Sequence, residues 1–166
     1  MDILTNKWML IVYVIVTILI ILLVIGEKSV RSEINIQAPI ETVWKVVTNT
    51  SEYAEWNSVM ILLDGNIKEG NTVKYQFTQE EGKSYEIPSK VKIIEPEKLL
   101  NQFGGIRGVL TFNHKYIFEK DGDKTRLTIH EVYRGIMVPF WNATPVQKAY
   151  DRLCSDIKKK SESLSI

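Results

Sequence analysis

Residues 109–135 read VLTFNHKYIFEKDGDKTRLTIHEVYRG, two runs of alternating apolar and polar residues around a turn signal. A period of two is typical of β-strands that bury one face. The dipeptide Asp121-Gly122 between the runs is a strong hairpin signal. A two-residue turn at this dipeptide pairs Tyr116 with Leu127, and the apolar faces of the two strands then coincide. This stretch predicts a long antiparallel hairpin with one buried face.

Two polar residues, His114 and Glu131, fall on the buried face of this hairpin. The predicted register makes them diagonal neighbours on adjacent strands, so their side chains can meet. A buried carboxylate needs a partner, and an imidazole is a suitable one. The pair could anchor a ligand hydroxyl or carbonyl, or serve as acid and base in a cyclisation or dehydration, and it supplies the catalytic candidates. We favour a third interpretation, an internal hydrogen bond or a glutamate that reaches solvent at a cavity mouth. His130 is assigned to the outer face.

The rest of the pattern predicts an α+β domain. Short apolar or alternating runs predict strands at residues 30–37, 59–64, 72–78, 85–95 and 98–103. Apolar residues at helical spacing predict short helices at residues 40–47 and 51–55 and a long helix from Thr144 onwards. Pro88 makes its strand locally an edge or a bulge. The order β-α-α-β6-α predicts a seven-stranded antiparallel sheet whose apolar face is covered by the long C-terminal helix.

Residues 8–25 read WMLIVYVIVTILIILLVI and contain no charged residue. As a helix they extend about 27 Å, close to the thickness of the hydrocarbon core of a bilayer. The run is longer than the apolar region of a cleaved signal peptide, and the following sequence GEKS is a poor cleavage site. The sequence therefore favours an uncleaved signal-anchor with a single membrane pass. Basic residues at the two ends are balanced, so the side of the membrane on which the domain lies stays open.

The 166 residues suffice for one domain of ordinary size and a short extra segment. The predicted organisation is an N-terminal flank at residues 1–7, a transmembrane helix at 8–26, a polar linker at 27–30 and a folded domain at 31–164. With 21 basic and 20 acidic residues the net charge is +1, which gives no reason to expect a nucleic-acid partner.

The residues that could carry metal, thiol or phosphate chemistry are few. The single cysteine, Cys154, cannot form an internal disulfide, and without a histidine placed beside it we interpret it as a small helix residue. The two histidines face opposite sides of the hairpin, so no metal site is predicted. Residues 104–108 (GGIRG) lie between strands and are interpreted as a plain loop rather than a lid or a phosphate loop. No cofactor is predicted.

The stretch INIQAPIETVW at residues 34–44, followed by Tyr53 and by EWN at residues 55–57, resembles the opening of the START-like superfamily. That superfamily, also called SRPBCC, includes polyketide cyclase/dehydrase-like and birch-pollen-allergen-like proteins. The sequence TRLT at residues 125–128, with Gly135 and Pro139 after it, is similar as well. The resemblance covers residues 30–164 and implies the helix-grip fold, in which a curved seven-stranded sheet grips the C-terminal helix around an apolar cavity.

The resemblance also implies that the cavity binds lipids, sterols, polyketides or other apolar molecules, and it brings no universal catalytic motif. The predicted cavity-lining residues are Val73, Tyr75, Phe77, Ile87, Val91, Leu110, Phe112, His114, Tyr116, Leu127, Ile129, Glu131, Tyr133, Phe140, Ala149, Tyr150 and Leu153. Trp44 and Trp56 are interpreted as packing residues. The pair Phe140-Trp141 precedes the final helix, where it could touch a bilayer or a ligand.

Three functions compete on this sequence. The first, which we favour, is a membrane-anchored carrier or sensor that binds a hydrophobic small molecule or lipid without catalysis. The second is a cyclase- or dehydratase-type enzyme acting on an apolar substrate, which requires His114 and Glu131 to be close together, inward and accessible. The third is a protein-interaction module whose cavity is filled by its own aromatic side chains.

Overall fold

The structure is a computed structural model that describes residues 7–165, with the side chains of residues 23–25 outside the described part. Its helices are α1 (Lys7–Ile25), α2 (Ile40–Thr48), α3 (Tyr53–Trp56) and α4 (Thr144–Ser163). Its strands are β1 (Glu27–Ile36), β2 (Met60–Asp64), β3 (Thr72–Glu80), β4 (Lys83–Glu95), β5 (Leu99–Ile106), β6 (Leu110–Asp121) and β7 (Lys124–Arg134). Short 3-10 turns at Thr50–Glu52 and Val138–Phe140 precede α3 and α4.

The seven strands form one antiparallel sheet in the order β1-β7-β6-β5-β4-β3-β2. Helix α4 packs against β1, β3 and β7 on the inner face of the sheet, and α2 packs against α4. Val146, Ala149, Tyr150, Leu153 and Ile157 of α4 are all buried. The predicted α+β class and the seven-stranded antiparallel sheet with its long C-terminal helix are confirmed.

The β6–β7 hairpin differs from the predicted register by two residues. Asp121 pairs with Lys124, so the two central turn residues are Gly122 and Asp123. Gly122 has φ +62°, a left-handed conformation that glycine adopts without strain. Because strand side chains alternate with a period of two, the shift keeps every residue on its predicted face. It changes only which residues are opposite each other.

The predicted linker at residues 27–30 is wrong, because these residues form the start of β1. They pair with residues 131–134 of β7, and Val30 is buried. Gly26 is therefore the one residue between α1 and β1. The backbone N–H of Gly135 donates to the carbonyl of Gly26 at 2.9 Å, which fastens the end of α1 to the end of β7. A side chain at Gly26 would collide with this same segment.

Helix α1 covers almost all of the predicted membrane helix at residues 8–26. Its described apolar side chains are exposed from Trp8 to Ile21. The predicted flank at residues 1–7 lies outside the described residues except for Lys7, which begins α1. Among the residues that the structure describes in full, no helix is long and apolar enough to cross a membrane.

Strand β4 is interrupted at two points. Its pairing with β5 begins only at Ser89, so the segment before Pro88 pairs with β3 alone and is locally an edge, as the proline predicts. A register shift between Val91 and Ile93 then turns Ile93 outward, where it is 41% exposed. The simple alternation of the sequence had placed Ile93 on the inner face.

Candidate functional site

The inner face of the sheet carries a polar row at mid-height. Five buried residues lie side by side across five strands, namely Val30, Glu131, His114, Gln102 and Val91. One step towards Gly26 the next row is Lys28, Tyr133, Phe112, Gly104 and Ser89. One step the other way the row is Ser32, Ile129, Tyr116, Leu100 and Ile94. These three rows divide the sheet into an open end, a polar middle and a packed end.

A cavity of about 610 Å³ lies between the sheet and α4. It begins at the polar row and extends over the open end of the sheet. Tyr85 and Ile106 are among its lining residues and are 52% and 69% exposed, so the mouth lies between the start of β4 and the end of β5. Cavities of 300–1,000 Å³ are the usual size for small-molecule sites, so this one is large enough for a ligand.

The packed end of the sheet is closed by α2 and α3. Trp44 of α2 makes an edge contact with Phe118, their ring centroids 5.2 Å apart. Tyr53 of α3 is buried, and its hydroxyl donates to the carbonyl of Val47 at 2.6 Å. The short helices therefore occupy the space that a longer cavity would need. Trp44 and Trp56 pack against the core, and neither lines the cavity.

A hydrogen-bonded cluster centred on Glu131 forms the polar end of the cavity. Nδ1 of His114 lies 2.6 Å from Oε2 of Glu131. The hydroxyl of Tyr150, on α4, donates to the same oxygen at 2.6 Å. His114 and Glu131 are 3% and 4% exposed. The predicted proximity of these two residues is correct, although they are direct cross-strand partners rather than diagonal neighbours.

The tyrosines around this cluster stay protonated. Burial raises the pKa of Tyr150 well above its ordinary value, and the negative charge of Glu131 raises it further. The same two causes raise the pKa of Tyr133, which neighbours Glu131 on β7. Burial also raises the pKa of Tyr75 to about 12, although the side chain of Gln102 partly opposes this by donating a hydrogen bond to the phenol oxygen at 3.0 Å.

Two polar atoms in the cavity wall have no hydrogen-bond partner among the described residues. They are Nε2 of His114 and the hydroxyl oxygen of Ser89, and both are buried. Buried polar atoms without partners are uncommon in folded proteins, and each one requires an explanation. Both atoms belong to residues that line the same cavity, although the atoms themselves are covered by neighbouring side chains. A bound molecule can form hydrogen bonds with them once those side chains shift.

The predicted site residues divide into two groups. Those that line the cavity are Tyr75, Phe77, Ile87, Leu110, Phe112, His114, Glu131, Tyr133 and Tyr150. Those buried in the solid core instead are Val73, Val91, Tyr116, Leu127, Ile129, Ala149 and Leu153. Most of these face the packed end, where the short helices fill the space above the sheet. Phe140 neither lines the cavity nor lies in the core, because its side chain is 72% exposed.

Several lining residues were missed by the sequence analysis. They are Met60, Gln79, Tyr85, Glu86, Pro88, Ser89, Gln102, Gly105, Ile106 and Val146. Trp141, for which the sequence suggested a contact with a ligand or a bilayer, also lines the cavity. Val146 belongs to the predicted apolar stripe of α4 and could have been included on that basis. Ser89 and Gln102 are polar residues on short or interrupted strands, where sequence alternation gives no reliable face.

Trp141 closes one side of the cavity, and β1 holds it there. Its ring packs on Tyr133 with centroids 4.3 Å apart. The ammonium group of Lys28 donates to the carbonyl of Trp141 at 2.5 Å and to that of Pro139 at 3.3 Å. The aromatic pair Phe140-Trp141 is therefore split, with Trp141 against the cavity and Phe140 in solvent.

Metal ligation has no support at this site. Within the part of the chain that the structure describes, no group of three or more His, Cys, Asp or Glu residues is arranged to hold a metal ion. Cys154 is buried on α4, and burial raises the pKa of its thiol to about 11.

A curved antiparallel sheet wrapped around a C-terminal helix, with a cavity between the two, defines a helix-grip protein. The family model "Polyketide cyclase / dehydrase and lipid transport" matches residues 27–162, and the chain belongs to this family. The match begins where β1 begins. No curated protein matches the chain.

Solved structures share this fold at low sequence identity. The protein TTHA0849 from Thermus thermophilus is 16% identical, with a TM-score of 0.67 over 84% of this chain and 100% of that one. Ara h 8.0201 is 14% identical, with a TM-score of 0.62 over 84% of this chain and 97% of that one. Norcoclaurine synthase of Thalictrum flavumn, solved as a point mutant in complex with a transition-state analogue, is 14% identical, with a TM-score of 0.60 over 83% of this chain and 96% of that one. These similarities establish the fold.

Proposed function

We propose that the domain binds a small, mostly apolar molecule inside the cavity between the sheet and α4. The observation that carries this proposal is the 610 Å³ volume, lined mainly by aromatic and aliphatic side chains with the His114–Glu131 pair at its inner end. Apolar walls provide affinity through the hydrophobic effect, and a few polar groups fix the orientation of the ligand. The volume also argues against an interaction module filled by its own side chains.

The experiment is to purify the full-length chain from a lipid-containing host, extract it with organic solvent and identify co-purified molecules by mass spectrometry. Ile87→Trp places a large ring in the cavity, whereas Ile93→Trp, on the outer face of the same strand, is the matched control. We expect a stoichiometric ligand in the wild type and in Ile93→Trp, and its loss in Ile87→Trp. A wild-type protein that carries nothing and takes up no added apolar compound would contradict the proposal.

A cyclase or dehydratase is the second candidate, favoured by one observation. A histidine whose Nδ1 is held by a carboxylate, with Nε2 unpartnered in a cavity wall, has the arrangement of a general base. The extracted molecule would be incubated with the wild type and with His114→Phe and followed by chromatography. Conversion by the wild type alone would favour the enzyme, and an unchanged molecule in both samples would leave binding as the function.

We also propose that α1 anchors the domain to a membrane. Residues 8–25 contain no charged residue, and the apolar side chains of α1 from Trp8 to Ile21 are exposed around the whole helix. A helix that is apolar on every face is unfavourable in water, and lipid removes that cost. We expect the full-length chain to stay in the membrane pellet after alkaline carbonate extraction and Ile15→Arg/Leu19→Arg to be released. Release of the wild type into the supernatant would contradict the anchor.

A further inference from the structure

The orientation of His114 indicates which chemical group the ligand carries, provided that the cavity binds a ligand as proposed above. We propose that the ligand is an uncharged apolar molecule bearing a hydroxyl group, an alcohol or a phenol, whose O–H donates a hydrogen bond to Nε2 of His114. Three features of the cavity lead to this class.

The first feature is the position of the imidazole proton. Oε2 of Glu131 already accepts a hydrogen bond from Tyr150, whose raised pKa keeps it a phenol and therefore a donor. The same oxygen lies 2.6 Å from Nδ1 of His114 and, as a carboxylate oxygen, it accepts there as well. Because a carboxylate can only accept, we assign the shared proton to Nδ1. In a neutral imidazole the other nitrogen, Nε2, presents a lone pair and accepts.

The second feature is that this lone pair has a fixed direction and no partner. The ring of His114 lies between Tyr116 and Tyr150, at centroid distances of 4.6 Å and 5.2 Å. These contacts and the bond to Glu131 hold the ring in one orientation. Nε2 is buried without a partner among the described residues, and His114 lines the cavity. A ligand O–H supplies the donor that the protein lacks at this position.

The third feature is the charge of the wall. The described residues that line the cavity include the carboxyl groups of Glu86 and Glu131 and no lysine or arginine. A ligand carboxylate or phosphate would enter a low-dielectric space with no cation to pair with it and with Glu131 nearby, which is unfavourable. The cavity therefore selects a neutral hydroxyl compound over a fatty acid or an anionic lipid.

The test compares three probes that differ in one group: 2-naphthol, 2-methoxynaphthalene and naphthalene. The full-length chain in phosphatidylcholine nanodiscs is titrated by calorimetry, and empty nanodiscs correct for partition into lipid. The methoxy probe keeps the oxygen and loses the donor. We expect the wild type to bind 2-naphthol roughly 3- to 10-fold more tightly than 2-methoxynaphthalene, the ratio that one hydrogen bond gives.

His114→Phe keeps an aromatic ring and removes the acceptor, so the preference for 2-naphthol over 2-methoxynaphthalene should disappear. His130→Phe, on the outer face of the same hairpin, is the matched control and should keep the wild-type ratio. ¹⁵N NMR of the histidine ring in the wild type gives a readout independent of any variant, because a nitrogen with a lone pair and a nitrogen with a proton resonate at different positions.

The outcomes separate the two proposals. Four outcomes would each overturn the hydroxyl assignment while leaving cavity binding intact: equal binding of the two oxygen compounds, a preference for the methoxy probe, an unchanged ratio in His114→Phe, or a proton on Nε2. The proton on Nε2 would overturn it both in the neutral ring and in the doubly protonated ring, because Nε2 is then a donor. Binding of none of the three probes would overturn both the proposed function and the inference that rests on it.

Discussion

At the scale of single residues, Tyr150 donates a hydrogen bond to the carboxyl group of Glu131 from the opposite wall of the domain. Replacing Tyr150 by Phe removes the donor at 2.6 Å and leaves one oxygen of Glu131 with His114 alone. Hydrogen bonds to charged groups contribute about 1.5–3 kcal/mol, and bonds between neutral groups about 0.5–1.5 kcal/mol. We therefore expect Tyr150→Phe to lower the free energy of unfolding by more than Tyr53→Phe.

Tyr53→Phe is the matched control because Tyr53 is equally buried and donates to a neutral backbone carbonyl at the same distance. Both variants are measured by denaturant unfolding of the full-length chain. If Tyr150→Phe lowers the free energy of unfolding by no more than Tyr53→Phe, Glu131 is not ionised in the folded protein.

The buried thiol of Cys154 should lower the free energy of unfolding of the domain as the pH becomes alkaline. Burial raises the pKa of its thiol to about 11 from an ordinary value of 9.0. Between these two values the unfolded chain releases the proton while the folded chain keeps it, so stability falls as pH rises. A two-unit difference corresponds to a loss of at most about 2–3 kcal/mol by pH 11.

The prediction is checked by comparing the pH dependence of unfolding in the wild type and in Cys154→Ala between pH 8 and 11. The variant should lose less stability over this range, although Tyr75 and the other buried tyrosines still contribute to the remaining slope. The same burial should keep the thiol unreactive towards a disulfide reagent at pH 8 until urea unfolds the chain. Parallel pH profiles for the two proteins would contradict the assignment.

At the scale of elements, the β6–β7 hairpin shows what alternation can and cannot determine. Alternation determined the inward faces of both strands, including those of His114 and Glu131. The turn was misplaced because the Asp121-Gly122 dipeptide predicts glycine at the second central position, whereas Gly122 is the first. The resulting shift of two residues leaves the faces intact and changes the partners, which sequence periodicity alone does not distinguish.

The extent of the cavity could not be predicted from the strands alone. Tyr116, Leu127 and Ile129 have the correct face and the correct chemistry, yet they lie in the solid core. The cavity stops at the polar row because α2 and α3 pack over the remainder of the sheet, and that packing is a tertiary property. Ile93 could not be placed from alternation for a different reason, because a register shift in the β4–β5 pairing turns its side chain towards solvent.

At the scale of the whole molecule, the cavity mouth and α1 lie at the same end of the domain. Gly26 follows α1 and bonds to Gly135, and the N–H of Met137 donates to the carbonyl of Val109 at 3.1 Å. The N–H of Val109 in turn donates to the carbonyl of Ile106, at the mouth. The exposed side chains around this end include the apolar Ile106, Val109, Met137 and Phe140. The charged side chains of Arg107 and Arg134 are exposed there as well.

If α1 is embedded in a bilayer as proposed, only Gly26 separates α1 from β1, so this end of the domain must lie close to the lipid surface. Its apolar side chains can then enter the bilayer interface, and its basic side chains can contact the lipid headgroups. A ligand could then pass between bilayer and cavity with little exposure to water. The opposite end of β7, at the β6–β7 turn, would lie further from the membrane, by up to roughly 35 Å, the length of an eleven-residue strand.

This arrangement predicts a difference between two spin-label positions. Labels attached through Phe140→Cys and Asp123→Cys are placed on the full-length chain in phosphatidylcholine vesicles, and the buried Cys154 should remain unlabelled. Molecular oxygen concentrates in lipid, so its accessibility to each label by electron paramagnetic resonance reports proximity to the bilayer. We expect the label at position 140 to contact the interfacial lipid and the label at position 123 to remain in water. Equal, water-like accessibility at both positions would show that the mouth does not face the membrane, and ligand would then have to enter the cavity from solution.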